Sequence, residues 1–420
     1  MNAPSRQEGR IPLLLVLLVS ALLVVSRRPD AFLNAQFWAE DGRNWYADAH
    51  AAWFEALFRQ HTGYYQTISR ITGALAQLVA LRHAPLLFHV IGLCFQVLPV
   101  LILCSRRGQD IIPGRAGRLL VGFLYLALPG TFEVHVNVSN IQWHLALSAL
   151  MVLMLRDGQG WRRWADPGLV LLSGLSGPFV MLLLPLALVV LWLRPARRSA
   201  LLAGVLALCA LVQGLAMLGH MGAARTAAPN GASLAWFARI IVMQVLAPAT
   251  AGNATGLVQW LGWPPPAGAS LLAVAAAAAL AVLALLRGPL PLKLLIVFAG
   301  LVLAASLVSP QVSPDQKQWP LLAAQQTGSR YGFFPLLAWI AIIAWLACAP
   351  RALPLRAVGI GLLAALVIVA IPADWTLPPF PDLDFQNHAA GFAAAPAGTV
   401  AHIPIVPAGW VMELRRPGAP

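Results

Sequence analysis

Two stretches read together decide the fold: IPLLLVLLVSALLVVS, residues 11–26, and FWAEDGRNWYADAH, Phe37–His50. The first carries no charge and lacks a small-x-small cleavage site with a polar mature start. It reads as a first membrane span, short enough to need its neighbours to cross a hydrocarbon core of roughly 30 Å. The second follows after ten residues and sets Glu40, Asp41, Asp48 and His50 among Phe37, Trp38, Trp45 and Tyr46. So much acid just beyond a span needs water or a purpose-built site.

Working outward, the 420 residues are 59% hydrophobic and only 10% charged, with mean hydropathy +0.75. Soluble domains carry about 25% charge, so the composition excludes a soluble enzyme and points to a polytopic all-α membrane protein. Apolar runs predict spans near 11–26, 85–104, 119–133, 141–155, 168–193, 199–218, 268–286, 292–309, 332–349 and 356–371. The 168–193 run is too long for one helix and is broken by SGLSGP, residues 173–178, which predicts two helices and about eleven crossings in all.

The formal charge of +13 would suggest nucleic acid in a soluble protein. Here the arginines cluster at the ends of apolar runs and read as topogenic, and no nucleic-acid partner is expected. Arg6 and Arg10, the 104–118 and 156–166 segments, Arg194–Arg198, Arg287 with Lys293, and Arg351 with Arg356 alternate with the spans if the N-terminus is cytoplasmic. The C-terminus is then extracytoplasmic. Arg27 and Arg28 conflict with this pattern. The dominance of arginine over lysine, with heavy Ala, Gly and Pro use, suggests a bacterial, GC-rich source and hence a bacterial cytoplasmic (inner) membrane protein.

The outer segments become 27–84, 134–140, 219–267, 310–331 and 372–420. They hold or adjoin Asp30, Glu40, Asp41, Asp48, Glu55, Glu133, Asp315, Asp374, Asp382, Asp384 and Glu413, leaving only Glu8, Asp110, Asp157 and Asp166 elsewhere. The chemistry is therefore expected on the outer face. Residues 68–81 and 233–246 mix apolar and polar positions as interfacial helices do. Residues 1–371 form the membrane domain on this reading. Residues 372–420 form a small appendage, with a strand at VAHIPIV (400–406) and a turn at PAGW, too small for its own core.

Four groups of residues in the outer segments are equipped for binding or catalysis. If 38–50 is helical, Asp41, Trp45 and Asp48 share one face, although Gly42 opposes a regular helix. HTGYYQTISR (61–70) offers Tyr64, Gln66 and Arg70, whose guanidinium fork suits a phosphate. EVHVNVSNIQWH (133–144) packs His135, Asn137, Asn140, Gln142 and His144 between two spans, where polar groups must face a bundle interior or a cavity. Their mixed donors and acceptors suit sugar hydroxyls. GSRYGFFP (328–335) puts Arg330 and Tyr331 at the start of a span, at headgroup height. Solvated loop, interfacial anchor and interhelical glue are the plainer roles for these same residues. Cys94, Cys104, Cys209 and Cys348 lack disulfide or zinc spacing. No repeat, phosphate loop, HExxH or GxSxG occurs, and Asn137-Val-Ser139 and Asn253-Ala-Thr255 are formal sequons only.

A first span, an outer loop with an acidic pair among aromatics, and many further spans together resemble the GT-C superfamily of membrane glycosyltransferases. AEDGRNWYADAH, GYYQTISR, NVSNIQWHLAL, SGLSGPF, GSRYGFFP and IPIVPAGW also look like a set of bacterial membrane proteins of that layout. The resemblance implies transfer of a sugar from a polyprenyl-phosphate or pyrophosphate carrier, with inversion, to a glycan or lipid acceptor. It implies an acid of the first outer loop as base, here Asp41 or, next, Glu40, with membrane lipids around the donor. No cofactor is assigned. A divalent cation stays open, although Asp-x-Asp and Asp-x-Glu are absent. A transporter or flippase of lipid-linked saccharides and a non-catalytic envelope-assembly protein are the competing readings. The first should show inverted repeats and midplane charges, neither of which is evident.

Overall fold

The computed structural model describes residues 12–220, 228–253, 265–324, 327–348 and 353–418. Arg6, Arg10, Arg351 and most of the Asn253–Thr255 sequon lie outside them. The chain is mostly helical, with one two-stranded sheet. Among the described residues six helices are long and apolar enough to cross a membrane: Leu81–Cys104, Arg197–Leu218, Ala267–Arg287, Leu290–Val308, Ser329–Ala347 and Pro354–Ala373. This is the helical framework of a multi-pass membrane protein.

The remaining apolar runs form shorter helices. Leu13–Arg27, Ile141–Met154, Val180–Leu193 and Leu234–Thr250 are apolar but fall below spanning length. The expected 119–133 span is instead a helix over Arg115–Leu126, twelve residues long. At 1.5 Å per residue it reaches roughly 18 Å, well short of a bilayer core. It stops early because Pro129 and Gly130, the latter at φ +65°, turn the chain. Residues 127–140 then run without regular α-helix through the interior, which the membrane tolerates only where protein satisfies the backbone. The SGLSGP segment does divide two helices, Arg162–Gly174 and Val180–Leu193.

The two arginines that disturb the charge pattern are buried rather than topogenic. Arg27 donates to the carbonyls of Leu126 (2.8 Å), Leu128 (2.9 Å), Asp374 (3.2 Å) and Trp375 (3.3 Å). Helix ends leave such carbonyls without partners, and one guanidinium here satisfies two chain segments at once. The Arg28 guanidinium lies 4.3 Å from the centre of the Phe380 ring.

The C-terminal appendage packs on the segment that follows the first helix, as its size requires. Strands β1 (Val400–Ile405) and β2 (Trp410–Arg415) pair antiparallel, with Ile403 opposite Met412. The inward side chains Ile403, Ile405, Met412 and Leu414 join Phe385 and Phe392 of the helix Phe385–Ala394. They share one core with Phe37, Trp45, Tyr46 and Phe88. Beyond β1, Val406 N–H donates to Phe37 O at 3.0 Å and Ala39 N–H donates to Val406 O. The hairpin thus grips the residues immediately before Glu40.

Of the two expected interfacial helices, Thr67–Ala76 buries Ser69, Arg70 and Thr72 and turns Ile71 and Leu75 outward. That polarity is inverted relative to a soluble helix and suits contact with lipid. The second region forms Leu234–Ile241, capped by the Ser233 hydroxyl at 3.2 Å from Trp236 N, and continues as a π-helical turn over Val242–Leu246.

Candidate functional site

Asp41–Tyr46 is a π-helical turn continued by the helix Ala47–Ala51. Gly42 lies inside this turn and does not break it. Its role is closeness: a Cβ there would sit 2.9 Å from the Phe37 Cβ. The widened turn aims Asp41 and Trp45 at the same residue, Ser139. Asp41 is completely buried. One carboxylate oxygen accepts from Ser139 N–H (2.7 Å) and Ser139 Oγ–H (2.7 Å), and the other from Val138 N–H (3.1 Å). Trp45 Nε1–H donates to Ser139 Oγ at 3.2 Å. Burial raises the Asp41 carboxyl to about 7, against the donated hydrogen bonds, which favour the charged form.

These facts correct the expectation that Asp41 is an accessible outer-loop carboxylate. It is a core residue that ties the first loop to the 134–140 segment. Glu40 differs. It is half-buried and, among the described residues, forms no hydrogen bond or ion pair. It lies close enough to Asp41, His61 and Arg330 to act on the ionisation of each. The His61 imidazole packs edge-on to Trp45 at 4.9 Å, and burial lowers its pKa, so it is neutral at pH 7.

Arg330 opens the helix Ser329–Ala347, with 27% of its side chain exposed. Glu133 holds it twice, accepting from the Arg330 backbone N–H (3.0 Å) and from Nη1 (3.3 Å). Nη2 donates to Gln311 O (2.7 Å) and the Tyr331 hydroxyl (3.3 Å), and the guanidinium lies 4.7 Å from the centre of the Tyr331 ring. Glu133 O in turn accepts from Asn137 Nδ2 (2.6 Å) and Asn140 Nδ2 (2.8 Å). Asn137 and Asn140 therefore shape the 133–140 loop through their own side chains, leaving less of each amide for a ligand.

The other expected residues fall around this centre or away from it. Asp48 pairs with Arg70 at 2.5 Å and Arg59 at 3.3 Å. Arg70 is buried, also donates to Arg59 O at 3.2 Å, and lies 4.8 Å from the Trp45 ring centre. Its guanidinium is thus committed to the protein, which corrects its expected use on a phosphate. Tyr64 accepts through its carbonyl from His61 N–H at 3.0 Å. Gln66 is buried and bridges by its backbone to Ser176.

His144 is buried, with its ring nitrogens occupied by the Tyr125 hydroxyl and Val134 O, each at 2.8 Å. His135 is buried against Gln96 at 3.2 Å. Both histidines are buried, which removes them from the expected contact with sugar. Gln142 packs against Gly177, with its buried carbonyl oxygen unpartnered among the described residues.

Three backbone outliers accompany the three converging segments: Ala39 (φ +40°), Thr62 (φ +52°) and Val136 (φ +45°). A left-handed β-branched residue is costly, and such strain gathers where surrounding structure over-determines a site. Gly92 makes the Val136 conformation fit, because a Cβ at 92 would meet the Val136 carbonyl carbon at 2.8 Å.

Sequence reasoning misses the roles of Ser139, Glu133 and His61. Ser139 reads only as the end of a sequon, and its partner Asp41 is remote in the chain. Among the described residues no group of three or more His, Cys, Asp or Glu is arranged to hold a metal ion. Comparison with protein-family models, curated proteins and solved structures returned no match.

Proposed function

We propose that this chain is a membrane glycosyltransferase of GT-C-like layout. It takes a sugar from a polyprenyl-phosphate-type carrier and passes it to a glycan or lipid acceptor on the outer face of a bacterial cytoplasmic membrane. The observation that carries the reading is Glu40: a half-buried carboxylate, unpartnered among the described residues and within electrostatic reach of both Arg330 and His61.

Glu40 takes the proton of the acceptor hydroxyl as its oxygen attacks the anomeric carbon. The bond from that carbon to the carrier phosphate breaks, and the leaving phosphate gathers charge. Arg330, fixed by Glu133 and with its side chain partly exposed, stabilises that charge. Asp41 is a positioning residue in this scheme, holding the 138–139 backbone against the loop that carries Glu40. The single displacement inverts the anomeric centre.

Deleting the protein should remove one envelope glycan and raise a lipid-linked sugar, both read by mass spectrometry. Restoring the strain with Arg330→Lys, which keeps charge but loses the planar fork, should leave most of the defect. An unchanged envelope after deletion would sink the proposal.

The reading also needs its face. A reporter enzyme that folds only outside the cytoplasm, fused after the last residue, is expected to be active. Activity of a cytoplasm-only reporter at that point would overturn the outer site.

A further inference from the structure

The C-terminal appendage carries a cleft of about 350 Å³, lined by the helix Phe385–Ala394, the residues after it and strand β1. That volume falls within the roughly 300–1,000 Å³ of ligand pockets. Asp384 starts the helix at φ +56°, a conformation that Asp and Asn tolerate better than bulkier residues. Asp384, Asn387, His388 and Gly391 follow at three- and four-residue spacing, so they share one face of the helix. Gly391 keeps that face open, because a Cβ there would meet no atom within 4 Å. Phe392 and Ile403 also line the cleft and are buried, which gives it an apolar floor.

The polar groups around this floor are mostly uncommitted. Asn387 Nδ2 donates to Asp384 Oδ1 at 2.7 Å. The other oxygen of Asp384, the Asn387 amide oxygen, the His388 ring and the Thr399 hydroxyl form no hydrogen bond among the described residues. Together they offer both donors and acceptors, as the hydroxyls of a sugar require. Charge narrows the choice. No arginine or lysine lines the cleft, whereas a carboxylate does, which opposes an anionic ligand. Arg416 lies 6.0 Å from the Phe392 ring centre without lining the cleft.

We infer that this cleft binds one neutral sugar residue of a saccharide. The ring rests on Phe392 and Ile403, and Asp384, Asn387, His388 and Thr399 serve its hydroxyls. Strand β1 runs on from Ile403 to Val406, which bonds to the backbone of Phe37 and Ala39. At about 3.3 Å per residue that is roughly 10 Å, so the sugar is held on the unit that fixes the chain before Glu40. The inference goes beyond the proposed transfer. It concerns binding alone and stands if Glu40 proves not to be a base.

The test uses the full-length protein in lauryldimethylamine oxide, a detergent without a sugar headgroup. Saturation-transfer NMR is recorded with glucose, galactose, mannose and N-acetylglucosamine, and with the 6-phosphate of each. At least one neutral sugar should take up saturation, and its 6-phosphate should bind roughly tenfold more weakly. Gly391→Trp puts an indole into the open face and should abolish binding. Asn387→Ala, at an exposed side chain, should weaken it about fivefold and serves if the first variant misfolds, as judged by circular dichroism and gel filtration. No turnover is needed, so failure of the transferase assay and failure of this site are read separately. Silence from all four neutral sugars, undiminished binding in either folded variant, or 6-phosphates that bind as tightly as their sugars would overturn the site.

Discussion

Asp41→Asn should lower the stability of the folded protein by about 1–3 kcal/mol at pH 5, the cost of breaking a buried hydrogen-bond network, and the deficit should shrink as pH rises past 7. Three donors converge on the Asp41 carboxyl, two of them backbone N–H groups that cannot turn away; at pH 5 its single O–H can still be accepted by the Ser139 hydroxyl, which can turn. An asparagine amide placed there must point its own N–H₂ at one of them.

The pH dependence follows from burial. In the unfolded chain this carboxyl titrates near 3.8, and in the folded protein near 7. Between those values the folded state holds the proton and the unfolded state does not. Stability from Asp41 is therefore complete below about pH 4 and is lost as pH rises through 7. Asparagine does not titrate, so wild type and variant converge at high pH. Thermal unfolding in detergent from pH 4.5 to 8.5 reads the difference. A gap that is constant or widens with pH would mean that Asp41 is an ordinary carboxylate in the folded state.

The sequence carried the helical framework well, because hydropathy and proline act locally. The break at Pro178 and the strand at Val400–Ile405 are both visible in short windows. What it hid is non-local. Glu40 and Asp41 are adjacent acids with nearly the same local signal, and Gly42 favours Asp41 as the site residue. The approach of Ser139, 98 residues away, removes Asp41 from solvent, while Glu40 stays half-buried.

Arg27 is similar. Beside a span it reads as a misplaced topogenic charge, and its purpose depends on carbonyls near residues 126 and 374. The asparagines of 133–140 read as sugar ligands because the sequence shows their amides but not the Glu133 carbonyl that occupies them. The early end of Arg115–Leu126 was signalled by Pro129-Gly130, but the run of apolar residues around that pair masks it.

Glu40→Gln should leave the fold intact and remove the proposed base. The side chain makes no hydrogen bond or ion pair among the described residues, and an amide matches its size, so no packing or pairing is lost. A positioned general base contributes roughly 10²–10⁴ in rate. The most direct measurement is turnover of lipid-linked sugar by the purified protein, supplied with the lipid extract of a deletion strain, for wild type and Glu40→Gln at matched amounts and matched thermal stability. The account predicts consumption of one polyprenyl-linked sugar by wild type and a fall of at least about a hundredfold in the variant. Equal turnover by the two proteins, or none by wild type from a donor pool that the deletion has enriched, would contradict it.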